Sequence, residues 1–77
     1  MVAIEPSKTQ RLYLLLKEQI LSGALPPGHR LPSEPSLATQ HSLSRVTIRR
    51  ALDGLARDGL IRRQPGSGTF VLDTSPR

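Results

Sequence analysis

The chain contains no cysteine. Zinc fingers, disulfide frameworks, thiol catalysis and iron–sulfur ligation are therefore excluded. Tryptophan is also absent, and Tyr13 and Phe70 are the only aromatic residues. That composition does not suit a single-strand binder, which stacks successive bases on aromatic platforms. No apolar run approaches the roughly 18 residues of a membrane span, because Leu14-Leu15-Leu16 stops at Lys17. Residues 1–8 lack the basic-then-apolar pattern of a secretory signal. The expectation is a soluble, cytoplasmic protein with no membrane partner. Histidine is scarce as well. His29 and His41 stand alone, with no evident nucleophile or metal-ligand partner. Pro65-Gly66-Ser67-Gly68 is glycine-rich but lacks the Gly-Lys-Ser/Thr of a phosphate-binding loop. The chain is expected not to be an enzyme and to use no cofactor or metal.

What is present is leucine and arginine. The 77 residues allow one domain, and 13 of them are leucine. A domain this short buries only about 60% of the surface its unfolded chain exposes. Its core must be small, and no ligand-sized pocket is expected. The net charge is +5, and nine of the eleven cations are arginine. Arginine presents a flat fork of five donors that suits phosphates and guanine edges. Six of the nine lie between Arg45 and Arg63, where Asp53 and Asp58 are the only acids. The distribution points to nucleic acid more strongly than the net charge does.

Capping residues divide the chain. Residues 1–8 read as a flexible lead-in, 9–72 as the folded domain and 73–77 as a tail or the start of a linker. Ser7-Lys8-Thr9-Gln10 fits a capping box, and Gly23 supplies a left-handed stop. Between them Leu12, Leu15, Leu16 and Ile20 predict one apolar stripe on a first helix ending near Ser22. Leu25-Pro26-Pro27-Gly28 is a turn, and His29-Arg30-Leu31 is long enough only for an edge strand. Ser33 caps a second helix from Glu34 to about His41, with a carboxylate and Pro35 in the first turn. Ser44 caps a third, running to about Asp58 before Gly59. Its Ile48, Ala51, Leu52 and Leu55 share one face, and Val46, Arg49, Arg50, Asp53 and Arg57 share the other. An ion pair of Arg57 with Asp53, one turn away, is the plain alternative to a binding role. Leu60–Gln64 and Thr69–Leu72 are β-prone, with a hairpin loop over Pro65–Gly68. Arg62 and Arg63 alternate, so one at most faces a ligand bound on one side of that hairpin.

Two short helices joined by a tight turn form a helix-turn-helix, and the second is expected to enter the DNA major groove. Ser44 and Thr47 can donate to phosphates at its start. Two other readings stay open: a helical module that binds an acidic protein, and a nucleoid binder blind to sequence.

Several spaced motifs stand in one register. They are Leu12-Tyr13, Ile20-x-x-Gly23-x-Leu25-x-x-Gly28, Leu31-Pro32-Ser33-Glu34, Ser44-Arg45-x-Thr47-x-Arg49-x-Ala51-Leu52, Leu55-x-x-x-Gly59-Leu60-Ile61 and Gly66-x-Gly68-Thr69-Phe70-Val71. Over Leu12 to Val71 the sequence resembles the DNA-binding domain of the GntR family of bacterial transcription regulators, and within it the HutC-like branch. The resemblance implies a mainly α (α+β) winged helix-turn-helix, with three helices and a two-stranded hairpin wing. It implies a recognition helix at about 45–58, a wing at 60–72, and a homodimer reading a short inverted repeat in double-stranded DNA. It also implies repression as the usual outcome. Dimerisation occurs on DNA or through a C-terminal domain, which would bind a small effector and which nothing in these residues encodes.

Carried over by position, Arg45 and Arg49 read bases, with Ser44, Val46 and Thr47 around them; Val46, on the outward face, packs on a thymine methyl or is an incidental surface valine. Ser33 is also among the DNA-binding residues, Arg50 is a phosphate contact or a solvated side chain, and Gly66 and Gly68 place the wing tip, with Ser67 and Thr69 beside them. Two departures stand out. Pro35 and Ser36 replace the arginine and glutamate common in the family, so one DNA contact is missing and the second helix leans on Ser33 for its cap. Ser42 replaces the usual turn glycine, in a position expected to be strained.

Overall fold

The computed structural model describes residues 7–74. The remainder of the expected lead-in and tail, residues 1–6 and 75–77, lies outside the described residues. Helix α1 spans Lys8–Ser22, α2 Glu34–His41 and α3 Arg45–Arg57, followed by strands β1, Ile61–Gln64, and β2, Gly68–Val71. Each helix begins at the serine the sequence nominates. Ser7 Oγ accepts from the Gln10 N–H at 3.1 Å, Ser33 Oγ from Ser36 at 3.2 Å and Ser44 Oγ from Thr47 at 3.2 Å. Each such cap satisfies one of the four amides a helix start leaves unpaired, an effect of about 1 kcal/mol. Helix α1 starts at Lys8, one residue before the expected start of the domain.

Helices α2 and α3 end in the same way. The Leu43 N–H donates to the Ala38 carbonyl at 3.0 Å, and the Leu60 N–H to the Leu55 carbonyl at 2.9 Å. This bond, made one residue past a left-handed turn, is the Schellman closure. At α3 the left-handed residue is Gly59 (φ 76°), but at α2 it is Ser42 (φ 55°, ψ 44°). A side chain there costs about 1–2 kcal/mol. Glycine removes that cost but adds about 0.5–1 kcal/mol of unfolded-state entropy. Ser42→Gly is therefore expected to stabilise the domain slightly, raising its melting temperature by about 2–4 °C. An unchanged or lower value in thermal denaturation would contradict this.

The core joins all the elements. Leu12, Leu16 and Ile20 from α1 meet Ile48, Ala51, Leu52 and Leu55 from α3, with Leu31, Leu37, Leu60, Ile61 and Val71 closing the ends. The expected α1 stripe needs one correction, because Leu15 is 40% exposed. Leucines occur all round this helix, and α3 packs on a face too narrow to reach Leu15. Leu14 and Leu21 are also exposed.

Tyr13 lies over Gly54 of α3, where an added methyl group would meet its ring at 3.2 Å. Its hydroxyl donates to the carboxylate of Asp58. That hydrogen bond, then partial burial and the charge of Asp58, raise the Tyr13 pKa above the ordinary phenol value. The contribution to folding is thus complete below about pH 10, the unfolded phenol value, and is lost as pH rises through the higher folded value. As the only tyrosine, Tyr13 gives a clean phenolate absorbance titration. The expected result is ionisation above the usual range, shifted down by Asp58→Asn. Identical curves for the two proteins would discard the contact.

β1 and β2 pair antiparallel, Ile61 opposite Val71 and Gln64 opposite Gly68. The hairpin loop is therefore Pro65-Gly66-Ser67, one residue shorter than expected, because Gly68 belongs to the ladder. The Ser67 N–H donates to the Gln64 carbonyl across the turn at 2.9 Å. The His29–Leu31 segment does act as an edge strand, with Arg30 opposite Phe70. Gly28 donates to Val71 at 2.8 Å, Val71 to His29 at 2.9 Å and Leu31 to Thr69 at 2.8 Å. The wing is thereby stitched to the turn between α1 and α2.

Candidate nucleic-acid interface

Ser42, Leu43 and Ser44 turn the chain between α2 and α3, and Leu43 packs against the core. With Ile48, Ala51, Leu52 and Leu55 all buried, the opposite face of α3 is committed to solvent. Arg45, Val46, Arg49 and Arg50 stand on that face. Val46 is 58% exposed and lies outside the apolar core. Ser44 and Thr47 share a hydroxyl–hydroxyl hydrogen bond of 2.9 Å at the start of the helix.

Electrostatics separate the two helix starts. The first turn of α2 carries Glu34, whereas that of α3 carries no acid and begins with Arg45. A cation at the positive end of a helix is unfavourable by itself. The start of α3, like that of α1, has no carboxylate of its own beside its unpaired amides.

Across from α3, the wing and the start of α2 enclose an open cleft of about 820 Å³. No pocket of this size was expected. It lies between the wing, which is pinned to His29–Leu31, and the start of α2, while Arg63 of β1 reaches α3 at its base. Leu52 lies at its floor, and Arg30, Glu34, Arg49, Arg63 and Thr69 line it. Ser33, Gly66 and Gly68 are at its rim, beside the exposed Ser67. Arg30 lies against Gly68, so a methyl group added there would meet its Nε at 2.6 Å. Gly68 also has φ 125°, which a side chain rarely adopts. Of the eleven nominated residues, Ser33, Arg49, Gly66, Gly68 and Thr69 line the cleft, Ser44 caps α3, Arg45, Val46, Thr47 and Arg50 lie in its first two turns, and Ser67 sits in the hairpin loop.

The ion pairs differ from those the sequence suggests. Asp53 pairs with Arg63 of β1, not with Arg57. Arg63 also donates to the Arg49 carbonyl at 3.3 Å, so this wing arginine points at α3, and Arg62 is left on the exposed side of the strand. Arg49 pairs with Glu34 at 3.2 Å. Glu34, Arg63 and Arg30 are the charged cleft residues absent from the set nominated from the sequence. The partners of Glu34 and Arg63 are distant in the chain, and no spacing announces such a contact. Among the described residues, no ion pair holds Arg30, Arg45, Arg50, Arg57 or Arg62.

Residues 8–71 match the family model described as bacterial regulatory proteins, gntR family. The chain belongs to the GntR family. A GntR relative, the histidine utilization repressor of Pseudomonas aeruginosa, is 51% identical over 63 residues, covering 82% of this chain and 25% of its own. The arabinose metabolism transcriptional repressor of Geobacillus stearothermophilus is 42% identical over 74 residues, covering 91% of this chain and 20% of its own. Among solved structures, the AraR DNA-binding domain in complex with operator ORE1 superposes with a TM-score of 0.86 at 30% identity. That alignment covers 92% of this chain and 88% of the AraR domain. The fold is the GntR winged helix-turn-helix. The chain spans about a quarter of the length of the histidine utilization repressors it matches.

Proposed function

We propose that this GntR domain reads operator DNA for a transcriptional repressor. The observation that carries the reading is the outward face of α3. It presents arginines at its start and in the second turn, with an exposed valine between them. In this reading α3 lies in the major groove, Arg45 and Arg49 bond base edges, and Val46 covers a thymine methyl. Ser33, Ser44, Thr47 and Arg50 hold phosphates, and the wing tip from Gly66 to Thr69 follows the adjacent backbone or minor groove. Two copies would bind a short inverted repeat, and a further domain would supply the effector response. The superposition on the AraR DNA-binding domain in complex with its operator supports the DNA partner.

The test is selection of bound duplexes from a random pool at about 0.15 M salt, where weak long-range attraction is screened. Enrichment of an inverted repeat is the expected result. Retention without enrichment would leave only phosphate contacts. No retention, even by an artificially dimerised domain, would assign the arginine face to another partner.

A further inference from the structure

Arg49 is held before any DNA arrives. Its Nη2 lies 3.2 Å from Oε1 of Glu34, in the first turn of α2. The other oxygen of Glu34 lies 3.7 Å from Nη2 of Arg63. Arg63 is anchored in turn by Asp53 and by the Arg49 carbonyl. One carboxylate thus joins α2, the recognition helix and the wing strand.

Stability does not explain this arrangement. The Arg49 side chain is 63% exposed, and an ion pair so open to water adds little to folding. Its geometry has a clearer consequence. A guanidinium carries five donors in one plane, and Glu34 engages Nη2. Donors remain for two parallel bonds to a guanine edge. Without Glu34 the long side chain could turn to phosphates, which are alike in every sequence. Glu34 also places a negative charge in the cleft, and that charge repels the backbone of any duplex.

We propose that Glu34 is a positioning residue for sequence choice: it aims Arg49 at a base and keeps it from the phosphates. This rests on the reading that Arg49 contacts a base. The test compares the native domain with Glu34→Gln at fixed salt. The probes are the selected operator, its single-base-pair variants and a scrambled duplex. The expected result for Glu34→Gln is stronger binding to the scrambled duplex and about a tenfold loss of discrimination at one base pair. That base pair is the one Arg49→Ala relaxes, and Glu34→Gln should change nothing further there when Arg49 is already alanine. Glu34→Asp keeps the charge but shortens the reach. It should lose the discrimination without the gain on scrambled DNA, and it carries the test if Glu34→Gln melts early.

Full discrimination in both Glu34 variants, with a discriminating native domain, would overturn the proposal and leave the base-reading assignment standing. An equal loss in the Arg49→Ala background would also overturn it. A native domain with no base preference would remove the base-reading assignment and this proposal together.

Discussion

Arg49→Ala is expected to relax the choice of base at one position of the operator and leave the other positions as they were. Arg49 stands in the second turn of α3, with the buried Ile48 and Leu52 fixing the helix face that carries it. A bidentate arginine–guanine contact discriminates by about 1–3 kcal/mol, which is roughly fivefold to more than a hundredfold. The folded domain should hardly notice the change, since the exposed pair with Glu34 is worth at most about 1 kcal/mol. Arg50→Ala is the natural control. If it removes a phosphate contact, it weakens all sequences alike and lowers the salt dependence by about one unit of slope. Titration of each variant against single-base-pair operator variants separates the two patterns. A uniform loss with Arg49→Ala would make Arg49 a phosphate contact.

The second large effect is on folding. Leu55 is wholly buried, in the layer where α3 meets α1. Leu55→Ala should cost about 2–5 kcal/mol through lost burial and the cavity left behind. A domain of this length has a total stability of roughly 4–11 kcal/mol, so that loss is a large share of it. The melting temperature should fall by more than about 10 °C. Leu15→Ala, on the exposed side of α1, should change stability by less than about 0.5 kcal/mol. Circular dichroism melts of the two variants test the core directly. Similar melting temperatures for both would mean that the buried face of α1 and its seam with α3 are misassigned.

That contrast shows where the sequence speaks clearly. Helix starts were legible because Ser7, Ser33 and Ser44 bond amides only a few residues away, and such chemistry is local. The end of α3 was legible through Gly59 for the same reason. The face of α3 was legible because its apolar and charged residues separate cleanly. Helix α1 gave a poorer signal. Its leucines leave several possible stripes, and only the packing partner selects Leu12, Leu16 and Ile20. Ionic partners were the least legible. Arg57 stands one turn from Asp53, yet Arg63 takes that carboxylate because the hairpin folds back onto α3. The bond of Arg49 to Glu34 likewise exists only once α2 and α3 are crossed. The nominated DNA-binding residues came from position within a family pattern. Arg30 and Glu34 were not nominated, and their presence in the cleft follows from tertiary structure alone.

The stitch between His29–Leu31 and β2 has a consequence for the order in which the domain assembles. The caps and the crossing of α2 over α3 involve residues near one another in the chain, and such contacts form early. The stitch must instead close a loop containing both of those helices, with the entropy cost that entails. The packing of α1 on α3 closes a loop of similar length, so the stitch and the core carry a comparable entropy cost. A chain still being synthesised can complete its helix-turn-helix before Thr69 to Val71 are available, but it cannot yet build the far wall of the cleft. The surface proposed to meet DNA exists in full only when β2 has docked, so a half-made chain carries the proposed reading helix without the wall that faces it.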